Sequence, residues 1–443
     1  MCHPPNKKVA LYTLGCKVNQ YETQIMAQQL ADIGYEIVDF NTAAEIYIIN
    51  SCTVTAVSDK KSRAIISRTK KKFPESIVIL TGCLAQRSPD EVKAQTEADI
   101  IIGNEEKTHL SEIIYSYLKN KQASKPHIAV SDIKSAKTLK SMSATGYLEK
   151  TRANIMVGEG CTNFCAYCII PHVRGAIRSK PPDNCVSELH TLADAGFNEV
   201  YISAIHLGSY GKDLGSDLPT LLEKMAKACP GVKLRLGSLE PNTVNQHFLS
   251  VMKNNKNICR HFHLSLQSGC DETLKSMRRH YTSADYKNAV ADIRSIMPNC
   301  AITTDILVGF PGESEADFEK SAAFVKSIGF AHSHIFPFSV RKGTFAETMD
   351  SKLSKKEKDL RVKLMSEICE KSKKDFLSRF LGKKVSVLFE TYKSDFNEGL
   401  TDNYITVRVK SEANLQNRIA EVLITAVCDG FCEGIIDCVI SAP

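Results

Sequence analysis

Gly160-Cys161-Thr162-Asn163-Phe164-Cys165-Ala166-Tyr167-Cys168 sets three thiols within eight residues, spaced Cys-x3-Cys-x2-Cys, and runs on as Ile169-Ile170-Pro171-His172-Val173-Arg174-Gly175. Soft thiolates at this spacing suit zinc or an iron–sulfur cluster. A closed structural zinc site takes four ligands. No fourth Cys or His follows at a zinc-ribbon distance, and His172 is the one near candidate. Three thiolates on a [4Fe–4S] cube leave one iron open, and an open iron binds a substrate or cofactor.

Outward from this stretch the chain alternates apolar runs with helical periods. Candidate strands are 153–157, 199–205, 233–239, 261–266, 301–308 and 332–338, with helices at 184–195, 218–228, 243–253, 283–296 and 314–328. Six βα units in series predict a (β/α)6 barrel or partial barrel, whose active site lies at the carboxyl ends of its strands. The thiol stretch follows the first strand, in a loop that should carry chemistry.

The first hundred residues alternate in the same way. Strands are expected at 9–14, 45–50, 76–81 and 99–102, and helices at 21–33 and 56–72. Such a pattern predicts a parallel sheet with helices on both faces. Cys16, Cys52 and Cys83 each stand just past a predicted strand, at the edge where open parallel sheets bind ligands. Three thiolates far apart in sequence would then converge on one point. Three ordinary buried cysteines are the other reading, since Cys is often buried. A helix at 107–119 leads to a lysine-rich connector with an edge strand near 127–130 and a boundary near 145.

Beyond a charged helix at 350–377, short alternating strands at 385–389, 404–409, 419–425 and 435–440 predict a small β-barrel of the nucleic-acid-binding kind. Asn397-Glu398-Gly399 and Cys428-Asp429-Gly430 supply turn signals. Cys428, Cys432 and Cys438 form a further metal set on paper, although small barrels also bury Cys as a small hydrophobe.

The domains are thus 1–145, 146–377 and 378–443. Of the 443 residues 43% are hydrophobic and 24% charged, the balance of a soluble globular protein. A net charge of +7 permits a polyanionic partner. Sixteen cysteines without an apolar leader point to a reduced, cytoplasmic setting, and no run is long enough to cross a membrane. Basic residues crowd one helix, from Lys60-Lys61-Ser62-Arg63 to Lys70-Lys71-Lys72. They are expected either on an RNA backbone or on a solvated face.

The thiol stretch resembles the signature of the radical S-adenosylmethionine (SAM) superfamily. Thr13-Leu14-Gly15-Cys16-Lys17-Val18-Asn19, Asn50-Ser51-Cys52-Thr53, Thr81-Gly82-Cys83-Leu84 and Gly103-Asn104-Glu105 resemble the amino-terminal domain of methylthiotransferases. Gly399-Leu400-Thr401-Asp402-Asn403-Tyr404 is similar to the TRAM domain, an RNA-binding module. Leu14–Thr23 and Ala204–Gly211 look like the branch that modifies N6-threonylcarbamoyladenosine in tRNA, not the isopentenyladenosine or ribosomal-protein branches. Arg341-Lys342-Gly343-Thr344 departs from relatives, which often carry prolines there.

The resemblance implies two [4Fe–4S] clusters, one on Cys161, Cys165 and Cys168 and one on Cys16, Cys52 and Cys83. SAM first gives a methyl group to sulfur on the second. A further SAM is cleaved at the first to a 5′-deoxyadenosyl radical, and a methylthio group goes to carbon 2 of adenine. Partners implied are tRNA and an electron donor such as a flavodoxin or ferredoxin. Ser265 and Gln267 share one strand face and are expected to reach SAM or substrate, or to close the barrel as a polar pair. Gly309-Phe310-Pro311-Gly312-Glu313 resembles the family's fifth-strand motif, whose glycines let the backbone approach the adenine of SAM, and is otherwise only a turn. Arg174 is expected on the SAM carboxylate, on an RNA phosphate, or at the surface. Phe164 and Tyr167 either pack on that adenine or fill the barrel top. Rival readings are a zinc-bearing RNA-binding protein without catalysis and an enzyme with a single cluster.

Overall fold

Six short strands make the amino-terminal sheet: β1 (Lys8–Thr13), β2 (Glu36–Val38), β3 (Ile46–Ser51), β4 (Ile77–Gly82), β5 (Ile100–Ile102) and β6 (His127–Ala129). The computed structural model describes residues 7–119, 126–139, 151–350 and 352–440. All neighbours in the sheet are parallel, in the order β2-β1-β3-β4-β5-β6. Alternate residues bury on opposite faces. Ile48 and Ile79 pack with Met26, Leu30 and Leu110 on one side. Ile49 and Leu80 pack with Ile66, Leu84 and Val92 on the other. Helices on both faces explain why β3 is buried at every position. The chain leaves β1 for β2 and returns for β3, so the topological switch lies between β1 and β3, where such sheets open a crevice. Cys16 and Cys52 follow those two strands.

The barrel strands are β7 (Ala153–Glu159), β8 (Arg178–Ser179), β9 (Glu199–Ala204), β10 (Lys233–Leu236), β11 (His261–His263), β12 (Ala301–Val308) and β13 (His332–Pro337). Two sheets, β10-β9-β7-β8 and β11-β12-β13, join through parallel bridges Leu234↔Ile258 and Leu239↔Leu264. The result is a six-stranded parallel partial barrel with one antiparallel edge, β8 on β7. The amino-terminal helix Lys17–Asp32 lies against β7: Val18, Tyr21 and Ile25 pack on Met156, and Asn154 Nδ2 donates to Lys17 O at 2.8 Å.

The carboxyl-terminal unit is a closed barrel, β14-β15-β16-β18-β17, built from β14 (Lys384–Lys393), β15 (Phe396–Thr401), β16 (Thr406–Lys410), β17 (Ile419–Val427) and β18 (Cys432–Val439). Its five strands exceed the four expected, because Asn397-Glu398-Gly399 lies inside β15. The turn falls at Ser394 and Asp395, both at positive φ (50° and 61°), which suits a two-residue hairpin. Cys432 and Cys438 lie six residues apart on β18, about 20 Å along a strand, so they cannot share a metal with Cys428. Tyr404 stacks on His261 with ring centroids 4.2 Å apart, and Arg260 grips Asp402 at 2.8 and 2.9 Å. The β-barrel is thereby fastened to the foot of the larger barrel. The charged helix, Lys355–Ser378, connects the two and buries Arg361, Met365, Cys369, Phe376 and Leu377. The expected boundary near 145 lies outside the described residues.

Candidate active site between two thiol triads

The loop after β7 is held from several sides. Gly160 sits at φ +77°, and a Cβ there would come 1.8 Å from Ala176 O. Cys161 N donates to Gly175 O (3.0 Å), Ala166 N to Met277 O (2.9 Å), and Ala346 N to Ala166 O (2.7 Å). Gly160→Ala is therefore expected to displace Cys161 by forcing backbone apart. Iron bound by the variant should fall well below half that of the unaltered protein in a colorimetric assay, whereas a shift absorbed elsewhere would leave it unchanged.

One cationic group meets this triad. Arg279 Nη1 donates to Cys165 Sγ at 3.1 Å, and its Nε donates to Tyr281 OH at 3.0 Å. Its other face binds Glu240 at 2.6 Å. Glu240 also accepts from Asn163 Nδ2 at 2.9 Å and lies 3.2 Å from His206 Nε2. Burial by itself would raise the Glu240 carboxyl; the His206 hydrogen bond and the Arg279 charge outweigh it and hold it at about 2. Glu240 and Arg279 carry no local sequence signal. Glu240 follows β10, and Arg279 follows the helix Asp271–Ser276, so the fold alone brings them together.

The second triad gathers at the carboxyl edge of the amino-terminal sheet. Cys16 precedes the helix Lys17–Asp32, Cys52 follows β3, and Cys83 opens the helix Cys83–Arg87. A Cβ on Gly15 would lie 2.9 Å from Cys52 Cβ, a measure of how closely the Cys16 and Cys52 loops approach. Buried polar groups tie the strand ends. Asn19 Nδ2 donates to Leu14 O (2.7 Å) and Ser51 O (3.0 Å), Asn50 Nδ2 to Asn19 O (2.9 Å), and Ser51 Oγ to Thr81 O (2.5 Å). Arg341, from the loop after β13, is buried and reaches across to Thr53 Oγ1 (2.6 Å) and Asp59 (2.9 Å). The departure from proline at this loop thus supplies a clamp on the Cys52 loop.

The donor sets fit iron–sulfur clusters. All six thiols are free. Among the described residues neither triad brings its three sulfurs within 4.8 Å of one another. Zinc with ligands at about 2.3 Å would need them closer, whereas a cube of four irons spreads them. Burial pushes the Cys83 thiol up to about 11 and the Cys168 thiol up to about 12, so metal loading must displace protons. Cys270, Glu272 and Asp317 do cluster that tightly. Asp317 caps the helix Glu315–Ile328 and Lys320 binds Glu272 at 3.3 Å, a structural use of those groups.

A buried cation ties the segment that follows Cys168 to the second triad. The helix Ile170–Arg174 leads away from Cys168, and its Val173, with Ile169, packs on Cys83. Arg174 is wholly buried and donates to Cys83 Sγ (3.3 Å), Glu159 (2.6 Å), Asn19 Oδ1 (2.6 Å) and Glu22. Lys107 pairs with the same Glu22 and bonds Asn104 Oδ1 at 3.0 Å. Burial alone would raise the Glu22 carboxyl; the Arg174 and Lys107 charges overcome it and hold it at about 2, against an ordinary 4.5. A lowered folded-state value gives stability that is present above the unfolded value and is lost as pH falls toward the folded one. The contribution, on the order of 3 kcal/mol, should fade from about pH 5 downward. Urea midpoints taken from neutral pH into this range should show the loss, and Glu22→Gln should remove that part of the slope.

Arg174 therefore differs from expectation. Its guanidinium is spent on carboxylates, an amide and a sulfur inside the protein, and it faces neither RNA nor open solvent. Glu313 is buried too, accepting from Gly309 N (2.6 Å) and Arg361 Nη1 (2.5 Å). A Cβ on Gly309 would strike Lys358 Cγ at 2.5 Å, so the long helix itself requires glycine there. Ser265 and Gln267 are half-buried past the end of β11, and Gln267 stands at φ 67°, outside the extended backbone on which a shared strand face depends. Tyr167 packs with Phe310 and so fills the barrel top, whereas Phe164 is half exposed. His172 sets its ring 5.7 Å from Phe164. In the basic helix, Ala56–Lys72, Lys70 is bound to Asp99 at 2.6 Å, while Lys60, Lys61, Lys71 and Lys72 are exposed.

Two family models match the chain: Uncharacterized protein family UPF0004 over residues 8–103 and the Radical SAM superfamily over residues 155–325. The threonylcarbamoyladenosine tRNA methylthiotransferase MtaB of Thermotoga maritima is 37% identical over 433 residues, covering 98% of this chain and 97% of that protein. The chain belongs to the radical SAM methylthiotransferase family. A tRNA-2-methylthio-N(6)-dimethylallyladenosine synthase of Acetivibrio thermocellus is 30% identical over 443 residues, covering 97% of this chain and 91% of that protein. Among solved structures, the radical SAM methyltransferase TsrM of Kitasatospora setae, with cobalamin and a [4Fe-4S] cluster bound, superposes with a TM-score of 0.58 at 12% identity, covering 75% of each chain. That likeness concerns the fold alone. Family membership brings a [4Fe–4S] cluster and SAM to this methylthiotransferase. Among its described residues no helix is long and apolar enough to cross a membrane.

Proposed function

We propose that this methylthiotransferase acts on tRNA in a reduced, cytoplasmic setting and adds a methylthio group to carbon 2 of N6-threonylcarbamoyladenosine beside the anticodon. One observation carries the reading: Cys83 packs on Ile169 and Val173, which follow Cys168, so the two triads adjoin across the domain junction. When bound, a cluster on Cys161, Cys165 and Cys168 supplies the electron that cleaves SAM, and a second on Cys16, Cys52 and Cys83 supplies the sulfur. The electron comes from an external donor such as a flavodoxin or ferredoxin.

The chain's own residues do the positioning. Arg279 fixes Cys165, and Arg174 fixes Cys83. Ser265, Gln267 and Phe164, each partly exposed near the barrel's strand ends, are the side chains we assign to SAM and the adenine. The buried Asn19–Asn50–Ser51 ties keep the Cys16, Cys52 and Cys83 loops in register with one another. The exposed lysines of Ala56–Lys72 start just past Cys52 and offer the RNA backbone a sequence-independent hold. The TRAM-like barrel below adds RNA-facing surface.

Iron and sulfide analysis after anaerobic reconstitution tests the two-cluster reading. Two cubes give about eight irons per chain, and about four after Cys161, Cys165 and Cys168 are all changed to Ala. Zinc without iron, or about four irons in the unaltered chain, would defeat it.

A further inference from the structure

The loop 341–346 touches both cysteine-bearing regions. At one end Arg341 donates to Thr53 Oγ1 (2.6 Å), the residue after Cys52. At the other, Ala346 N donates to Ala166 O (2.7 Å), between Cys165 and Cys168, and Ala166 N in turn donates to Met277 O (2.9 Å). The residues next to these last two anchors, Phe345 and Arg278, are both exposed and meet each other. The Arg278 guanidinium carbon lies 3.6 Å from the Phe345 ring centroid, flat against the ring. Arg279, by contrast, turns inward to Cys165 Sγ. Phe345 is 48% exposed, and among the described residues no acceptor meets the Arg278 guanidinium. Arg278 stands at φ 57° just past the helix Asp271–Ser276, a position that glycine fills most easily. Side chains held in left-handed backbone cluster where a ligand is clamped.

We infer that Arg278, laid flat on Phe345, is the stacking platform for an RNA base that adjoins the modified adenosine. The inference rests on the tRNA substrate proposed above. An adenosine in a loop stacks on its neighbours, and it must leave that stack to reach the thiol triads. The base beside it then loses a partner. A guanidinium plane backed by an aromatic ring replaces that partner, because every base offers a π-face. A carboxylate ligand would use the charge of Arg278 alone, whereas a base uses the charge and the plane together. The platform is one residue from each of the two backbone contacts that hold Ala166, so it stands beside the Cys165 loop at the carboxyl ends of the barrel strands. It holds the strand there without reading the target base itself.

The test is binding of synthetic RNA hairpins by the cluster-loaded enzyme. One hairpin is intact, with N6-threonylcarbamoyladenosine at the target position. Two others lack the base immediately 5′ or immediately 3′ of the target, and a control carries an unrelated loop. The unaltered protein should bind one of the two abasic hairpins at least about fivefold more weakly than the intact one. Phe345→Ala and Arg278→Lys should each weaken binding of the intact hairpin by a similar factor and no longer distinguish it from that abasic one, with iron content and SAM affinity unchanged. Arg278→Lys keeps the charge and loses the plane, so it separates stacking from a phosphate contact. Phe345→Tyr should keep the preference. A preference that survives Phe345→Ala and Arg278→Lys overturns the assignment, as does an unaltered protein that binds all three target hairpins alike. An equal loss on intact and abasic hairpins also overturns it, and so does a fall in SAM affinity that accompanies the fall in RNA affinity. An unaltered protein that binds the intact hairpin no better than the control overturns the proposed substrate instead, and this inference with it; that result is visible before any variant is made.

Discussion

Changing Cys16, Cys52 and Cys83 together to Ala is expected to bring methylthio transfer to background while SAM cleavage continues. Release of 5′-deoxyadenosine should stay within about threefold of the unaltered enzyme, less than 1 kcal/mol in activation energy. The separation follows from position. These three thiols sit at the carboxyl edge of the amino-terminal sheet, and the groups that steady Cys165, namely Arg279, Glu240 and Tyr281, all belong to the barrel. Parallel assays of the modified nucleoside and of 5′-deoxyadenosine check the result. Loss of both activities would mean that the amino-terminal triad also supports the first site, and retention of both would remove it from the reaction.

Arg174→Ala is the second large effect. It leaves Glu22 and Glu159 buried with less compensation and removes the N–H on Cys83 Sγ. Breaking a buried ion pair by deleting one partner costs about 3–5 kcal/mol. The variant should unfold at a clearly lower urea concentration and retain less iron. Arg174→Lys keeps a charge and loses the planar fork that serves several acceptors at once, so it should recover only part of either measure. A variant with unchanged stability would show that Lys107 balances Glu22, and Arg178 balances Glu159, without it.

The strands and most helices were legible because their signals are local. The helices Ala56–Lys72, Leu218–Ala228 and Ser283–Ile296 fall on the expected bounds, each begun by a side chain that caps it: Thr55, Asp217 and Thr282. The two expected thiol triads rested on spacing and on place after strands, and the structure sets Cys16, Cys52 and Cys83 at one edge of the amino-terminal sheet. Arg174 did not. Nothing near it in sequence predicts that Glu22, 152 residues earlier, would reach it. Glu240 and Arg341 were hidden for the same reason, since each takes its partners from another strand end or another domain. In the small barrel the Asn397-Glu398-Gly399 signal misled, because a turn is fixed by which residues accept positive φ, and here Ser394 and Asp395 do so.

The most direct test of the whole account is mass spectrometry of nucleosides from tRNA treated with the reconstituted enzyme, SAM and a reductant. Substrate tRNA carrying N6-threonylcarbamoyladenosine should gain the 2-methylthio form of that nucleoside, and tRNA carrying the isopentenyl base should gain little. Methylthiolation confined to the isopentenyl base, or none on either tRNA with both clusters loaded, would contradict it.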